Sequence, residues 1–268
     1  MWARPKWAQV GLHPERDGWS EVPATVTSSG TLAKEADDEL RRLRDALADR
    51  DAELSLLAHV VSHDLRAPLR AITGFGELLQ DELGARLEPE AADYLERMTG
   101  GAERLQSMID ALVRYLRLGP PSFETVDLGT VVESVLADRT DAPEIELGAL
   151  PRVEGDPAML TTLLEALIDN GLKFADPDRA CRVHVGARLE GERWVVEVRD
   201  TGIGFEPHLE ERARAMFVQL HPRGRFPGLG FGLALAAKIL ALHDSELWFE
   251  SVPGEGTTVR FHLAPAAF

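Results

Sequence analysis

A histidine followed by an aspartate, His63-Asp64, is a pair whose residue types can perform proton-coupled or nucleophilic chemistry. The pair lies in the stretch 54–83, where apolar residues recur every seven positions and predict a helix with one buried stripe. Because each helical residue turns by about 100°, His63 is expected on the side opposite that stripe, facing solvent. From these residues alone, two alternatives stay open: an ordinary solvated histidine, or a metal site shared with His59. The two rows of the stripe are Ala58, Leu65, Ile72 and Leu79, and Val61, Pro68 and Phe75.

Two further motifs, in the second half of the chain, carry groups suited to a nucleotide. Asn170 and Lys173 are three residues apart on a predicted helix and therefore share one face. An amide oxygen can ligate Mg²⁺ and a lysine can contact phosphate oxygens. Asp200 ends a predicted strand and begins an Asp-Thr-Gly-Ile-Gly loop, where a carboxylate can accept a hydrogen bond from an amine such as adenine N6. Each motif alone is weak, since exposed helices and turns use the same residues.

Glycines form the other two motifs. Gly228, Gly230 and Gly232 alternate ahead of a predicted helix, which is the arrangement of a phosphate-binding loop. A Pro-Gly-Glu-Gly-Thr-Thr run at 253–258 precedes the last predicted strand, where an ordinary turn is the alternative. The order of the four motifs is more informative than any one of them.

The elements that must position these groups fall into two parts. A second heptad helix, about 89–118, follows a short connection and predicts an antiparallel helical hairpin. One hairpin leaves much of its apolar surface exposed to solvent, so two copies are expected to bury that surface as a four-helix bundle in a homodimer. Beyond it, mixed strands and helices predict a two-layer α+β sandwich. Its helices are expected over 128–139, 156–174 and 232–243, and its strands near 145 and over 182–189, 194–199, 247–251 and 257–263, with a loop over 201–231.

These expectations divide the chain into five segments. They are an irregular segment 1–31, a helical signal-transmitting segment 32–51, a dimerisation and histidine domain 52–118, a Gly- and Pro-rich linker 119–123, and a nucleotide domain 124–268.

The string His-Asp-Leu-Arg-Ala-Pro-Leu at 63–69 resembles the phosphoacceptor box of sensor histidine kinases. In order, the four later motifs resemble the N, G1, G2 and last glycine boxes of the ATP-binding domain in that family. The resemblance covers about 52–264 and implies a HisKA-type domain followed by the GHKL, or Bergerat, fold that gyrase, Hsp90 and MutL share. In detail, the stretches 216–232 and 247–251 are similar to kinase modules of the phytochrome type.

The resemblance implies an ATP-dependent protein-histidine kinase with defined residue roles. His63 would accept the γ-phosphoryl group, and Asp64 would orient its ring and act as the general base. Asn170 would coordinate Mg²⁺ beside ATP, the loop 205–228 would form a lid, and the phosphoryl group would pass to an aspartate of a response regulator receiver domain. The implied ATP-binding residues are Asn170, Lys173, Phe174, Asp200, Gly202, Gly204, Gly228, Gly230, Gly232, Leu233 and Thr257.

Some positions depart from the family pattern. Ala166 replaces a polar residue one turn before Asn170, Ala67 replaces a residue associated with phosphatase activity, and Leu229 and Phe231 alter the third motif. The departures at 166, 229 and 231 favour the alternative of an ATP-binding dimeric signalling scaffold with weak or no kinase activity, whereas the intact His63, Asn170 and Asp200 speak against it. A gyrase-type ATPase is disfavoured, because Ala166 cannot activate water where that class uses a glutamate.

Composition sets broader bounds. A net charge of −16 disfavours nucleic acid and anionic membrane surfaces as partners. One cysteine, Cys181, excludes an internal disulfide framework and suits a reducing compartment. No run approaches the roughly 20 apolar residues that span a bilayer. We therefore expect a cytoplasmic protein without membrane insertion, whose input comes through its N-terminal segment or a separate sensor partner.

Overall fold

The computed structural model describes residues 39, 41–42, 60, 62–137, 139, 144–221, 226 and 228–266. Its contacts divide the chain into two units, residues 1–50 and residues 51–268. The predicted irregular segment 1–31, most of the predicted helix over 32–51, and the stripe residues Ala58 and Val61 lie outside the described residues. All elements named below belong to the second unit.

Two helices form the predicted antiparallel hairpin. The described part of α1 covers 62–83, a short 3-10 turn follows at Gly84–Arg86, and α2 is Pro89–Leu116. Proline suits the first turn of α2 because its missing N–H has no helical acceptor there. A Cβ at Gly76 would collide with the Thr99 methyl group, so this glycine allows close approach of the two helices.

The heptad rows of the hairpin point in two directions. On α2, the row of Leu95, Ala102 and Ile109 is buried, whereas the row of Met98, Leu105 and Leu112 is exposed. On α1 the described members of the expected stripe, Leu65, Ile72, Phe75 and Leu79, are exposed in the single chain, and Pro68 is exposed as well. Burial of this stripe in a dimeric bundle stays a prediction. The α1 row inside the hairpin is instead Ser62, Leu69 and Gly76. Two of these residues are small and not strongly apolar, so hydrophobic periodicity does not reveal them.

The rest of the chain forms a two-layer α/β domain, as expected. Its main sheet has the strand order β2-β4-β5-β7-β6, in which β2 runs parallel to β4 and the other neighbours are antiparallel. A two-stranded sheet pairs β1 with β3. The strands are β1 Glu124–Asp127, β2 Glu144–Leu147, β3 Arg152–Gly155, β4 Arg182–Glu190, β5 Arg193–Asp200, β6 Trp248–Val252 and β7 Gly256–Leu263.

Three helices cover one face of the main sheet and enclose the core. They are α3 Leu128–Ala137, α4 Pro157–Lys173 and α6 Gly232–Leu242. Asp127 caps α3 by accepting hydrogen bonds from the Gly129 and Thr130 amides, and Asp156 caps α4 by accepting from the Met159 amide. The inward side chains of α4 and α6 meet alternate residues of β4, β5 and β7, including Val183, Val198 and Phe261.

The predicted elements of this domain are present within two residues at most bounds, but four short elements were not predicted. The strands β1 and β3 were not predicted, because four-residue strands at the edge of a domain give little periodic signal. The expected loop 201–231 also contains a 3-10 turn at Pro207–Leu209 and a short helix, α5 Glu210–Arg214. Among the described residues, no helix has both the length and the apolarity needed to cross a membrane.

Candidate functional site

The histidine pair lies at the exposed N-terminal end of the described part of α1. The side chains of His63 and Asp64 are both 75% exposed, and His63 Nδ1 lies 3.2 Å from Asp64 Oδ1. With its proton on Nδ1, the ring donates to the carboxylate and keeps the lone pair on Nε2 free. The expectation that His63 faces solvent is confirmed, although the described stripe residues beside it are exposed too.

A cavity of about 410 Å³ lies between α4, α6 and the main sheet. Its volume is within the usual range for sites that hold small molecules. Ten of the predicted nucleotide residues line it: Asn170, Lys173, Phe174, Asp200, Gly204, Gly228, Gly230, Gly232, Leu233 and Thr257. Gly202 is not in the lining, but its amide donates to the Asp200 carboxylate at 2.8 Å. His63 and Asp64 are outside this cavity, so the structure brings together the predicted nucleotide residues and leaves the phosphoacceptor pair apart.

One end of the cavity combines an apolar wall with a single carboxylate. Asp200 Oδ1 accepts hydrogen bonds from the Gly202 amide at 2.8 Å and the Thr257 amide at 3.1 Å. Burial raises the pKa of Asp200 to about 6, although these two amide hydrogen bonds favour the ionised form. The apolar wall includes Val198 and Phe249. This end can hold a flat, apolar ring and accept one hydrogen bond from its edge.

The loop after Asp200 has a backbone that only glycine accommodates easily. Gly204 has φ of +60°, and a Cβ there would collide with the Val252 carbonyl. The Gly254 amide donates to the Ile203 carbonyl at 2.8 Å, which ties this loop to the turn before β7. The two predicted glycine motifs at 200–204 and 253–258 therefore support each other in space.

The opposite end of the cavity is polar and lies at the start of α6. A Cβ at Gly232 would lie 3.6 Å from Asn170 Nδ2 and 3.7 Å from the Ala166 methyl group, so Asn170 and Ala166 both face the helix N-terminus. Free amide groups at a helix N-terminus favour anions such as phosphate. Lys173 is close to Gly228, and burial lowers the pKa of its ammonium. Ala166 thus leaves a methyl group where a polar side chain would reach the same anion.

Magnesium fits this end only as a partner of phosphate. No group of three or more His, Cys, Asp or Glu side chains able to hold a metal occurs in the described part of the chain. Asn170 supplies a neutral oxygen ligand at the polar end of the cavity. Mg²⁺ commonly uses one or two protein oxygens together with substrate phosphates and water, so this donor set fits Mg²⁺ delivered with ATP.

Aromatic contacts join the segment before α6 to the cavity rim. The rings of Phe217 and Phe231 stack at 5.6 Å, and the Phe217 amide donates to the Gly230 carbonyl at 2.8 Å. Phe174 contacts Phe226 edge-on at 5.2 Å and lies 5.7 Å from the ring of His221. The described parts of the expected lid, 205–228, therefore pack against the rim of the cavity through aromatic rings, while 222–225 and 227 lie outside the described residues.

The last turn of α2 reaches the same cavity, which was not predicted. Arg114 is one of the lining residues. The neighbouring Tyr115 ring contacts Phe231 edge-on at 6.0 Å, and its carbonyl accepts a hydrogen bond from Lys238 Nζ at 2.7 Å. No sequence signal connects Arg114 to the nucleotide motifs, because it lies on a different domain and outside every glycine-rich box.

Comparison with known proteins assigns both halves of the chain. Residues 53–121 match the His Kinase A (phospho-acceptor) domain, and residues 155–267 match the histidine kinase-, DNA gyrase B- and HSP90-like ATPase domain. The first match contains the exposed His63, and the second contains every residue that lines the cavity except Arg114.

Individual relatives agree with the domain matches. The phytochrome-like protein Cph1 of Synechocystis sp. strain PCC 6803 is 32% identical over 95% of this chain and 37% of its own length. The phosphate regulon sensor protein PhoR of Pseudomonas aeruginosa is 31% identical over 77% of this chain and 49% of its own length. The chain thus spans less than half the length of these two curated relatives.

A solved structure of similar fold is full-length ShkA in complex with AMPPNP. Its TM-score is 0.56 at 25% identity, and the match covers 79% of this chain and 46% of the ShkA chain. Acinetobacter baumannii histidine kinase AdeS, at a TM-score of 0.50 and 18% identity, shares the fold. The two family models match in the order of a phosphoacceptor domain followed by an ATPase domain, and together with the relatives of 30% identity or more they show that the chain belongs to the histidine kinase family.

Proposed function

We propose that this chain is an ATP-dependent protein-histidine kinase that phosphorylates itself on His63. The observation that carries the proposal is the cavity between α4, α6 and the sheet, which gathers residues from all four nucleotide motifs. The same unit of the chain presents an exposed His-Asp pair on a helical hairpin. Family membership supports the reaction type.

ATP fits the cavity in one orientation. The Oδ1 atom of Asp200 is occupied by two backbone amides, which leaves Oδ2 as the acceptor for the adenine N6 amine. The triphosphate then extends toward Asn170, Lys173 and the N-terminus of α6. The positive charge of Lys173 and the free amides of the helix stabilise its negative charge there. Mg²⁺ bound with ATP would be held by the Asn170 amide oxygen and would neutralise phosphate charge.

The chemical step uses the free ring nitrogen of His63. Its Nε2 lone pair attacks the γ-phosphorus in line while the bond to the β-γ bridging oxygen breaks, and ADP leaves. The ring becomes positively charged as the N–P bond forms. Asp64, 3.2 Å from Nδ1, holds the ring orientation and stabilises that charge. His63 is not among the residues that line the cavity, so for this step the γ-phosphorus of bound ATP must come within bonding distance of His63 Nε2.

The oligomeric state we propose is a homodimer. Large apolar side chains are exposed on both α1 and α2, and a second copy would cover them in a four-helix bundle. The exposed side chains include Leu65, Ile72, Phe75, Leu79, Met98, Leu105 and Leu112.

The phosphoryl group would then move from His63 to an aspartate on a response regulator receiver domain. The exposure of His63 supports this role, since the carboxylate of a separate protein must approach the same atom. The single cysteine and the net negative charge suit a cytoplasmic protein that does not bind nucleic acid.

Autophosphorylation with γ-labelled ATP and Mg²⁺ tests the proposal. We expect the wild type to take up an acid-labile, base-stable label that then moves to an added receiver domain. His63→Gln and Asn170→Ala should take up no label, for lack of an acceptor and of the Mg²⁺-ATP contact respectively. The matched control is His208→Gln, which removes an exposed histidine of the nucleotide domain and should label normally.

Two other results would change the assignment. Label that persists in His63→Gln would show a different phosphoacceptor. A wild type that binds ATP but takes up no label would favour the signalling scaffold, which the methyl group of Ala166 at the phosphate end supports.

A further inference from the structure

We propose that Arg114 of α2 contacts the terminal phosphate of ATP and makes the site discriminate ATP from ADP. This proposal rests on the proposed ATP-binding function of the cavity. It assigns a substrate contact to the hairpin, outside the nucleotide domain that supplies the other binding residues.

The first argument is the position of the α2 end. Tyr115 is held against the glycine-rich motif by its ring contact with Phe231 and by the hydrogen bond from Lys238 to its carbonyl. Phe231 directly precedes Gly232, the first residue of α6. The last turn of α2 therefore lies at the N-terminus of α6, which is the phosphate end of the cavity, and Arg114 lines the cavity from there.

The second argument is the register of the hairpin. Arg66 of α1 donates to Asp110 of α2 at 2.6 Å, which places these two residues opposite each other. The two helices are antiparallel and rise equally per residue. A residue that precedes Arg66 by three positions therefore lies at the same height along the hairpin as one that follows Asp110 by three positions. His63 is thus level with Val113, next to Arg114 along the chain. Arg114 therefore lines the proposed phosphate end of the cavity and lies at about the same height along the hairpin as His63.

The third argument is charge. Among the described residues that line the cavity, three carry carboxylates and two carry a positive charge. The carboxylates belong to Glu165, Asp169 and Asp200, and the positive charges to Lys173 and Arg114. Asp169 is paired with Arg139, 2.5 Å away. Within the described residues, no hydrogen bond or ion pair engages the Arg114 side chain. A guanidinium there is available to a phosphate, to which it can donate two parallel hydrogen bonds.

Arg114 also compensates for a local departure. Ala166 faces the start of α6 with a methyl group and gives the phosphates no contact. Arg114, which reaches the cavity from α2, would supply a contact there. Contact with the γ-phosphate would stabilise the charge that develops during transfer, as arginine does in other phosphoryl-transfer sites.

The competing explanation is structural. A cation in the last turn of a helix interacts favourably with the carbonyl ends of that helix, whether or not nucleotide is bound. The two explanations differ in what they predict for ATP relative to ADP, since only the phosphate contact depends on the third phosphate.

Calorimetric titration of the full chain with AMPPNP and with ADP, each with Mg²⁺, separates them. We expect Arg114→Gln to weaken AMPPNP binding by about tenfold while ADP binding changes by less than about twofold. The initial autophosphorylation rate at saturating ATP should fall by about tenfold or more. Arg114→Lys should recover part of the AMPPNP affinity, because it restores the charge without the planar fork.

The matched control is Arg97→Gln, which removes an equal charge from an exposed ion pair with Asp93 on α2 and should behave as wild type. Retained ADP affinity in Arg114→Gln would also show that the variant is folded. Equal effects on AMPPNP and ADP, or none on either, would overturn the role of Arg114. The proposed function fails on different results, namely a wild type that binds neither nucleotide or an Asn170→Ala variant that labels normally.

Discussion

The helical hairpin, 62–116, and the α/β domain, 124–266, place their apolar side chains differently. In the α/β domain, one large core fills the space between the sheet and its helices, with Leu160, Leu163 and Ile168 fully buried. In the hairpin the interior cluster consists of Leu69, Ala102 and Ile109, while large residues such as Phe75 remain exposed. The α/β domain therefore buries its large apolar side chains within one chain, whereas the hairpin keeps exposed apolar side chains that a partner could cover.

The same contrast holds for the two functional groups. The nucleotide residues lie in a cavity whose shape depends on the core behind it. His63 lies on an exposed helix end, where the γ-phosphate of ATP and then a receiver domain would reach it in turn under the proposed function. A protected donor site and an exposed acceptor site suit a phosphoryl group that must first be held and then handed on.

The largest expected effect concerns the core of the α/β domain. Leu164 on α4 is 1% exposed, and Leu164→Ala should lower the free energy of unfolding by about 2–5 kcal/mol through lost burial and a residual cavity. Chemical denaturation followed by circular dichroism measures this loss, which should not depend on protein concentration. The control is Leu189→Ala, at a position 56% exposed, where a change within about 0.5 kcal/mol is expected. An equally small loss in Leu164→Ala would contradict the core described above.

The second expected effect concerns the exposed face of the hairpin. Phe75 is 67% exposed, and Phe75→Glu would bury an unpaired carboxylate if a second copy covers this face. We expect the dimer dissociation constant from sedimentation equilibrium to rise by about a hundredfold or more. Gln80→Glu adds the same charge to an exposed polar position of α1 and should leave association nearly unchanged. If Phe75→Glu dimerises as tightly as the wild type, the proposed bundle uses another face.

The third and smallest expected effect concerns Asp200. Its pKa of about 6 lies above the ordinary aspartate value, so its proton is bound more tightly in the folded domain. The carboxylate that we propose accepts a hydrogen bond from adenine is therefore lost as the pH falls through about 6, and ATP affinity should decrease by up to about tenfold per pH unit below that value. Folded-state stability changes in the opposite direction, since ionisation of this buried group costs stability as the pH rises from about 4 to about 6.

Titration of ATP binding between pH 7.5 and 5 measures this dependence. Asp200→Asn should bind ATP weakly and without the transition near pH 6. Asp169→Asn changes a more exposed carboxylate in the same cavity and should keep the transition. A wild-type affinity that stays constant over this range would contradict an Asp200 contact with the base.

Local rules determined much of this protein. Heptad periodicity predicted the two helices of the hairpin, and the caps Asp127 and Asp156 lie at the starts of α3 and α4. The glycine motifs predicted where the backbone turns back under a ligand, as Gly204 and Gly230 do with positive φ. These features depend on residues that are near one another in sequence, so a sequence displays them directly.

Tertiary structure alone decided which faces meet. In the packing of α1 on α2, the row of Ser62, Leu69 and Gly76 lies inside the hairpin. Close approach of the two helices requires small residues such as Gly76, and hydrophobic periodicity does not reveal them. Tertiary packing also placed Arg114 at the cavity, through contacts between segments more than a hundred residues apart, such as Tyr115 with Lys238. The sequence by itself determined the chemical groups and their local geometry. Long-range packing determined which of those groups share one site, because that depends on the relative placement of elements that no local rule specifies.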